Sequence, residues 1–174
     1  FNDGNGRIGR ILIPLFLYQK CVLSQPMFYL SEYLERNRDA YYAHLKRISA
    51  NNDWNGWISF FLKAIAIQAK QNSERVIAIK DLYDEMKQQI HACTRSQYTV
   101  HLLDAIFSKP IFRSTDLTEQ LNIEFGIHEK TVPSLIRQLR DAGILKEIKP
   151  ASGRRPATLC FPRLLNIAEG RQVL

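Results

Sequence analysis

The chain has 174 residues, 45% apolar and 24% charged, an ordinary globular mixture whose 18 aromatics exclude disorder as its main state. No apolar run approaches the ~18–20 residues of a membrane span; the longest, residues 11–18, contains Pro14. Lys and Arg outnumber Asp and Glu by 24 to 17, a net charge of +7, which favours an anionic partner without choosing among nucleotide, nucleic acid and membrane surface.

The apolar periodicity predicts a mainly α chain. Residues 7–23 read as a helix with almost no polar face. Ile8, Ile11, Leu12, Leu15, Phe16 and Leu23 form one stripe, and Ile13 and Leu17 fill the other side. Such a helix is expected to be central and buried, with a kink at Pro14. Ser31 is expected to cap a helix over 32–48, with Leu34, Tyr41, Leu45 and Ile48 inward. Asp53 is expected to cap another over 54–70, with a stripe of Trp54, Trp57, Ile58, Phe61, Leu62, Ile65 and Ala69. Ser73 then opens a helix to about Thr94, with Val76, Ile79, Tyr83, Met86 and Ile90 inward.

From residue 98 the rhythm shortens. Helices are expected over 100–107, over 115–121 with Ser114 as cap, and from Thr131 to Ala142. A turn through Phe125-Gly126-Ile127 precedes the last of these, and Gly143 should close it in the left-handed conformation. Pro133 fits its first turn if Thr131 is the cap and Pro133 the second helical residue. Two strands, 144–148 and 157–161, flank a Gly/Pro-rich stretch over 149–156. Three short helices followed by a hairpin is the winged helix-turn-helix order. The expected domains are therefore 1–95 and 98–174, the second ending in a short tail.

Cys21, Cys93 and Cys160 are too far apart for zinc-ligand pairs and too few for a disulfide framework. They are expected to be buried, reduced thiols of a cytoplasmic protein. His44, His91, His101 and His128 are expected at the surface or in helix caps. Phe1 is preceded by no Met, so the chain is expected to begin partway through a longer protein, with no signal peptide.

The chemistry concentrates in Phe1-Asn2-Asp3-Gly4-Asn5-Gly6-Arg7-Ile8-Gly9-Arg10. A tight Gly4-Asn5-Gly6 turn, opening into the first helix, would gather backbone N–H groups into an anion nest backed by a helix N-terminus. Arg7 and Arg10, three apart, would project from one face beside it, two guanidinium forks suited to a polyphosphate. Asp3 could hold a Mg²⁺ that also touches the phosphates. Three readings compete. The plainest is a glycine-rich turn with two solvated arginines. Gly4, Gly6 and Gly9 also fit the dinucleotide fingerprint G-x-G-x-x-G, but helices follow where parallel strands should. A P-loop is excluded, because no G-K-S/T ending is present.

The third reading is a resemblance. This segment is similar to the Fic (filamentation-induced-by-cyclic-AMP) motif, H-x-F-x-D/E-G-N-G-R-x-x-R, from its third position onward. Seven fixed positions match in order, a run expected by chance roughly 10⁻⁷ times in a chain of this length. Residues 10–18, and 33–45 with Glu35-Arg36-Asn37-Arg38 and Tyr41-Tyr42, also resemble bacterial Fic proteins, as does the winged half ending Gly153-Arg154-Arg155-Pro156 and Leu164-Leu165-Asn166-Ile167. The resemblance implies the C-terminal half of a helical Fic core followed by a winged helix. It implies an adenylyltransferase that moves AMP from ATP to a Ser, Thr or Tyr hydroxyl of a target protein, with pyrophosphate leaving. On that reading Phe1 anchors the loop and Asp3 binds Mg²⁺. Gly4, Asn5 and Gly6 hold the α- and β-phosphates, with Ile8 and Gly9 completing the segment. Arg7 and Arg10 serve the outer phosphates, and Tyr42 lines the adenine side. The motif's catalytic His would lie two residues before Phe1, so this chain contains no catalytic residue and is expected to be inactive alone. The upstream helices and flap of the family are also outside it.

Two alternatives stand beside this. One is a Fic relative that transfers another nucleotide. The other is a DNA-binding winged-helix regulator with a degenerate phosphate loop. The charge argues against the second, since the basic excess is spread evenly: 11 Lys/Arg against 8 Asp/Glu in 98–174, and 13 against 9 in 1–97. Arg137, Gln138 and Arg140 have Asp141 beside them, and residues 131–136 offer no long polar base reader. Arg154 and Arg155 at the wing tip are the convincing phosphate contact. A regulatory or dimerisation module is the expected role, with a homodimer open to it, DNA open but not favoured, and no membrane.

Overall fold

A computed structural model describes residues 5–25, 28–153 and 155–174 and places eight helices and one three-stranded sheet among them. The chain is mainly α. None of these helices is long and apolar enough to cross a membrane. The fold divides into two compact units, Phe1–Glu74 and Arg75–Leu174.

The first unit holds α1 (Asn5–Gln19), α2 (Ser31–Arg36), α3 (Arg38–Asn51) and the beginning of α4 (Trp54–Thr94). α1 runs unbroken through Pro14 and ends four residues earlier than the apolar pattern predicts, with Cys21 at φ +56°. The expectation that α1 is buried does not hold. None of its residues from Gly6 onward is buried, and Ile11 and Phe16 are 62% and 57% exposed. Periodicity reports that a helix is apolar, not that anything covers it; within this unit only Ile13 of α1 joins the core. That core is small: Leu30, Leu34 and Ala64, with Phe28, Tyr33, Tyr41, Phe60, Phe61 and Ile65 packed around them.

The single helix expected over 32–48 is two helices. Asn37 leaves helical geometry at φ −115°, and the Tyr33 carbonyl accepts from both its backbone N–H at 3.0 Å and its side-chain Nδ2 at 2.9 Å, which closes α2 at this residue. Ser31 does not cap α2 through its side chain. One of the N–H groups that a helix start leaves without an intrahelical partner is instead satisfied from α4. The Tyr33 amide donates to Gln68 Oε1 at 3.1 Å, while Gln68 Nε2 donates to Asn72 Oδ1 at 3.0 Å. Gln68 is fully buried, with both ends of its amide partnered.

Asp53 caps α4 as expected, its Oδ1 accepting from the Gly56 amide at 2.9 Å. A Cβ at position 56 would run into that carboxylate. The buried stripe of α4 in this unit is rotated from the expected one. Ala64 and Gln68 are buried and Trp57, Phe60, Phe61 and Ile65 half-buried, while Trp54, Ile58 and Leu62 face out. Ser73 opens no new helix, because residues 70–73 contain neither Gly nor Pro and the Asn72 side chain is taken by Gln68; α4 continues for 41 residues.

The second unit adds α5 (Thr99–Ser108), β1 (Ile111–Arg113), α6 (Ser114–Phe125), α7 (Thr131–Asp141), β2 (Lys146–Lys149), β3 (Thr158–Cys160) and α8 (Pro162–Glu169) to the rest of α4. The sheet order is β1-β3-β2, antiparallel throughout, with Phe112 opposite Leu159 and Lys146 opposite Cys160. Leu82, Met86 and Ile90 of α4 enter its core with Leu102, Leu103, Leu121, Leu139, Leu159 and Phe161. This is why the units divide near residue 74, ahead of the change in sequence rhythm. Two turns form as expected: Gly126 and Gly143 take φ +65° and +72°, closing α6 and following α7. Four details differ. β1 and α8 were not expected, and α8 occupies what reads as a tail. Pro133 is the third residue of α7, still within the first turn where no N–H is needed. Ser114 is the first residue of α6 and not its cap.

Of the cysteines only Cys160 is buried; Cys21 and Cys93 are exposed, contrary to expectation, because both lie where a helix ends or turns outward. Arg163 of α8 forks onto Glu85 of α4 through bonds of 2.8 and 2.7 Å, which hold the Glu85 carboxyl below its ordinary range. The Tyr83 hydroxyl donates to Asp104 Oδ1 at 2.6 Å.

Two outcomes follow from these contacts. Gln68→Leu leaves the Tyr33 amide without a partner, and should cost the first unit about 1–3 kcal/mol in urea unfolding and speed hydrogen exchange at that amide. The bond to Asp104, then burial and the nearby carboxylates, push the Tyr83 phenol up to about 12. A raised folded-state value favours the neutral phenol, so its contribution is complete below pH ~10 and lost on the way to pH ~12. The stability difference between the wild type and Tyr83→Phe should therefore be present at pH 9 and gone near pH 12 in denaturant midpoints.

Candidate functional site

The site is built from the start of α1 and the α2–α3 break. Asn5 and Gly6 are the first two residues of α1, so the expected Gly4-Asn5-Gly6 turn yields to helix from Asn5 onward. Gly6 and Gly9 are helical and not among the glycines with positive φ. A Cβ at either position would meet nothing within 4 Å, so neither space nor backbone conformation requires glycine there. Phe1, Asp3 and Gly4 lie outside the described residues. Among the described residues α1 has no acidic side chain in its first turn.

Arg7 is exposed, Ile8 half-buried and Arg10 half-buried. Arg10 Nε donates to the Gly6 carbonyl at 3.0 Å, folding the side chain back along the first turn. Arg7 and Arg10 together line a trough of about 620 Å³, with Ile11, Pro14 and Leu15 on one wall and Phe28–Ser31 on the other. That is within the range of small-molecule sites.

Arg10 also borders a second, smaller cleft of about 170 Å³, lined by Leu34, Glu35, Arg38, Tyr41 and Tyr42. The expected site residues Arg7, Arg10 and Tyr42 thus border two spaces that share Arg10. Tyr42 is 55% exposed, and its ring meets Tyr41 edge-on at 5.4 Å. Tyr41 in turn lies 5.5 Å from Trp57. The Arg38 guanidinium sits over the Tyr42 ring at 5.8 Å. Arg38 was not singled out as a site residue; its signals were its place in the Glu35-Arg36-Asn37-Arg38 run of the resemblance and its position four residues before Tyr42.

Among the described residues no group of three or more His, Cys, Asp or Glu could hold a metal. Asp3 is a hard oxygen donor of the kind Mg²⁺ takes beside phosphate oxygens. The histidines stand apart from the site's chemistry. His44 stacks on Phe60 at 4.8 Å with Nδ1 buried and unpartnered, His101 stacks on Phe125 at 4.0 Å, and His128 Nδ1 accepts from the Lys130 amide.

In the second unit the basic residues of α7 are partly engaged: Arg140 pairs with Glu147 at 3.5 Å and Asp141 at 3.8 Å. β2 is exposed along its length, and Ser152 and Arg155 form the turn of the hairpin. Arg154 lies outside the described residues. No protein-family model matches the chain.

Proposed function

We propose that the first unit belongs to the C-terminal part of a Fic-type adenylyltransferase core, expected over 1–95 but compact only to Glu74, and that the trough beside α1 takes the phosphates of ATP. The observation that carries this is the placement of Arg7 and Arg10, at the motif's two arginine positions, on one trough at the head of a helix whose first turn holds no opposing carboxylate. In the proposed reaction a target hydroxyl oxygen bonds to the α-phosphorus, the bond to the β-phosphate oxygen breaks, and pyrophosphate leaves. The hydroxyl proton goes to the motif His, two residues ahead of Phe1. The backbone of Gly4, Asn5 and Gly6 and the Asn5 side chain grip the inner phosphates, with Ile8 and Gly9 carrying the chain past them. The Arg7 and Arg10 forks steady charge as it builds on the leaving pyrophosphate. Asp3 would hold Mg²⁺, which supplies further neutralisation of that charge. Tyr42 lines the base side.

Residues 98–174 are proposed as a winged helix-turn-helix serving contacts with protein, a second copy included. Support comes from the order α5, α6, α7 and the β2–β3 hairpin, and from the pairing of Arg140 with acids of its own unit, which withdraws a charge that a DNA reader would spend on phosphate.

Charge-assisted bidentate contacts are worth about 1.5–3 kcal/mol. Arg7→Ala should therefore weaken ATP binding by calorimetry at least about tenfold, and unchanged affinity would remove Arg7 from the site. With labelled ATP the chain should bind nucleotide without transferring AMP, since general-base catalysis contributes ~10²–10⁴-fold. A longer form carrying the His should transfer it, and robust transfer by the short form would mean the base lies elsewhere. A salt titration on random duplex DNA tests the second half. The expected result is binding weaker than ~10⁻⁶ M near physiological salt; tighter binding with a steep slope lost in Arg155→Ala would make it a DNA module.

A further inference from the structure

We infer that Arg38 is the base-recognition residue of this site and that it selects purine over pyrimidine nucleotides by stacking. The inference rests on the nucleotide reading above and adds what the phosphate-gripping residues do not decide, the identity of the base. Trp57, Tyr41, Tyr42 and Arg38 form a row of planes: Trp57 and Tyr41 are 5.5 Å apart, Tyr41 and Tyr42 5.4 Å, and the Arg38 guanidinium lies 5.8 Å over Tyr42. Successive rings meet at 57° and 70°, edge toward face, and the 63% exposed Arg38 side chain ends the row. A guanidinium is flat, delocalised and weakly hydrated, and it stacks on ring faces where an ammonium does not.

The row ends in the small cleft that Arg10 shares with the phosphate trough. At about 170 Å³ this cleft admits one planar ring system and not a whole nucleotide. The base would enter there while its phosphates lie along Arg7 and Arg10. Glu35 is the other charged wall. Its pair with Arg38 spans 3.8 Å between side chains 69% and 63% exposed, a surface contact that a stacked base can displace. Stacking strength follows the area of the π-face and not the pattern of donors on the base edge. The larger purine bicycle gains more than a pyrimidine ring, so ATP and GTP should compete closely and UTP should bind less well.

The test is calorimetry on the chain with ATP, UTP and inorganic tripolyphosphate, for the wild type, Arg38→Ala, Arg38→Lys and Tyr42→Ala. The wild type should prefer ATP to UTP, and Arg38→Ala should lower ATP affinity about tenfold while leaving UTP and tripolyphosphate within about twofold. Arg38→Lys, which keeps the charge and loses the plane, should behave like Arg38→Ala. Tyr42→Ala should also erase the preference. Equal losses for ATP and tripolyphosphate would make Arg38 an anion clamp and overturn the inference, as would rescue by Lys or an unchanged ATP/UTP ratio. If the wild type binds tripolyphosphate and both nucleotides alike, only the role of Arg38 falls. If it binds none of the three, the nucleotide reading falls with it.

Discussion

The first unit turns on one buried amide. Gln68 is fully enclosed, so each polar end must find a partner inside the fold, and the two it finds belong to different problems. Its nitrogen is met by Asn72, one turn along the same helix. Its oxygen takes the Tyr33 amide, which α2 cannot satisfy within itself because it sits in the first turn. This cross-link fixes where α2 starts against α4. The position of α2 then sets the Asn37 break, and the break sets where α3 begins and which way Arg38, Tyr41 and Tyr42 face. A core of three buried side chains could not impose that arrangement alone.

Cations gather at the head of α1 on a surface that is otherwise apolar. Arg7 and Arg10 rise from a helix whose remaining faces are Ile, Leu and Phe, and the opposing wall is Phe28, Tyr29 and Leu30. A charge beside such walls is less screened than one on an open polar surface, so the same guanidinium grips an anion more firmly there. Elsewhere exposed cations are drawn into pairs, Arg36 with Glu32 in the first unit and Arg163 with Glu85 and Arg140 with Glu147 in the second.

Local chemistry was legible in the sequence wherever one residue type determines a conformation. Gly126 and Gly143 mark left-handed positions, and Asp53 caps its helix, because few other residues do either. The order of α5, α6 and α7 followed from their separate apolar stripes. What needed three dimensions was not legible. Ser73 looks like a helix start, and only a helix that runs on through it brings Asn72 onto Gln68 one turn earlier. β1 is three residues long and α8 eight, too short for a period to emerge. The apolarity of α1 was plain, yet burial depends on neighbours that periodicity does not contain. At the site, Arg7 and Arg10 could be paired by spacing alone. The cleft that Arg10 alone shares with Arg38 depends on a helix break at Asn37, whose side chain bonds the Tyr33 carbonyl four residues earlier.

The uncovered stripe of α1 has a colloidal consequence. Ile11, Leu12, Leu15 and Phe16 are each exposed, a contiguous sticky strip on a particle of net charge +7. Contact attraction from such a strip acts over the width of a water layer, whereas repulsion between like-charged copies reaches about a Debye length, ~30 Å at 0.01 M salt and ~10 Å at 0.1 M. Ionic strength is therefore the variable that sets the balance. In dilute buffer the charge cloud holds copies beyond the reach of the strip. As salt rises the cloud contracts, sticky encounters grow more frequent, and the osmotic second virial coefficient moves toward negative values without any change in the fold.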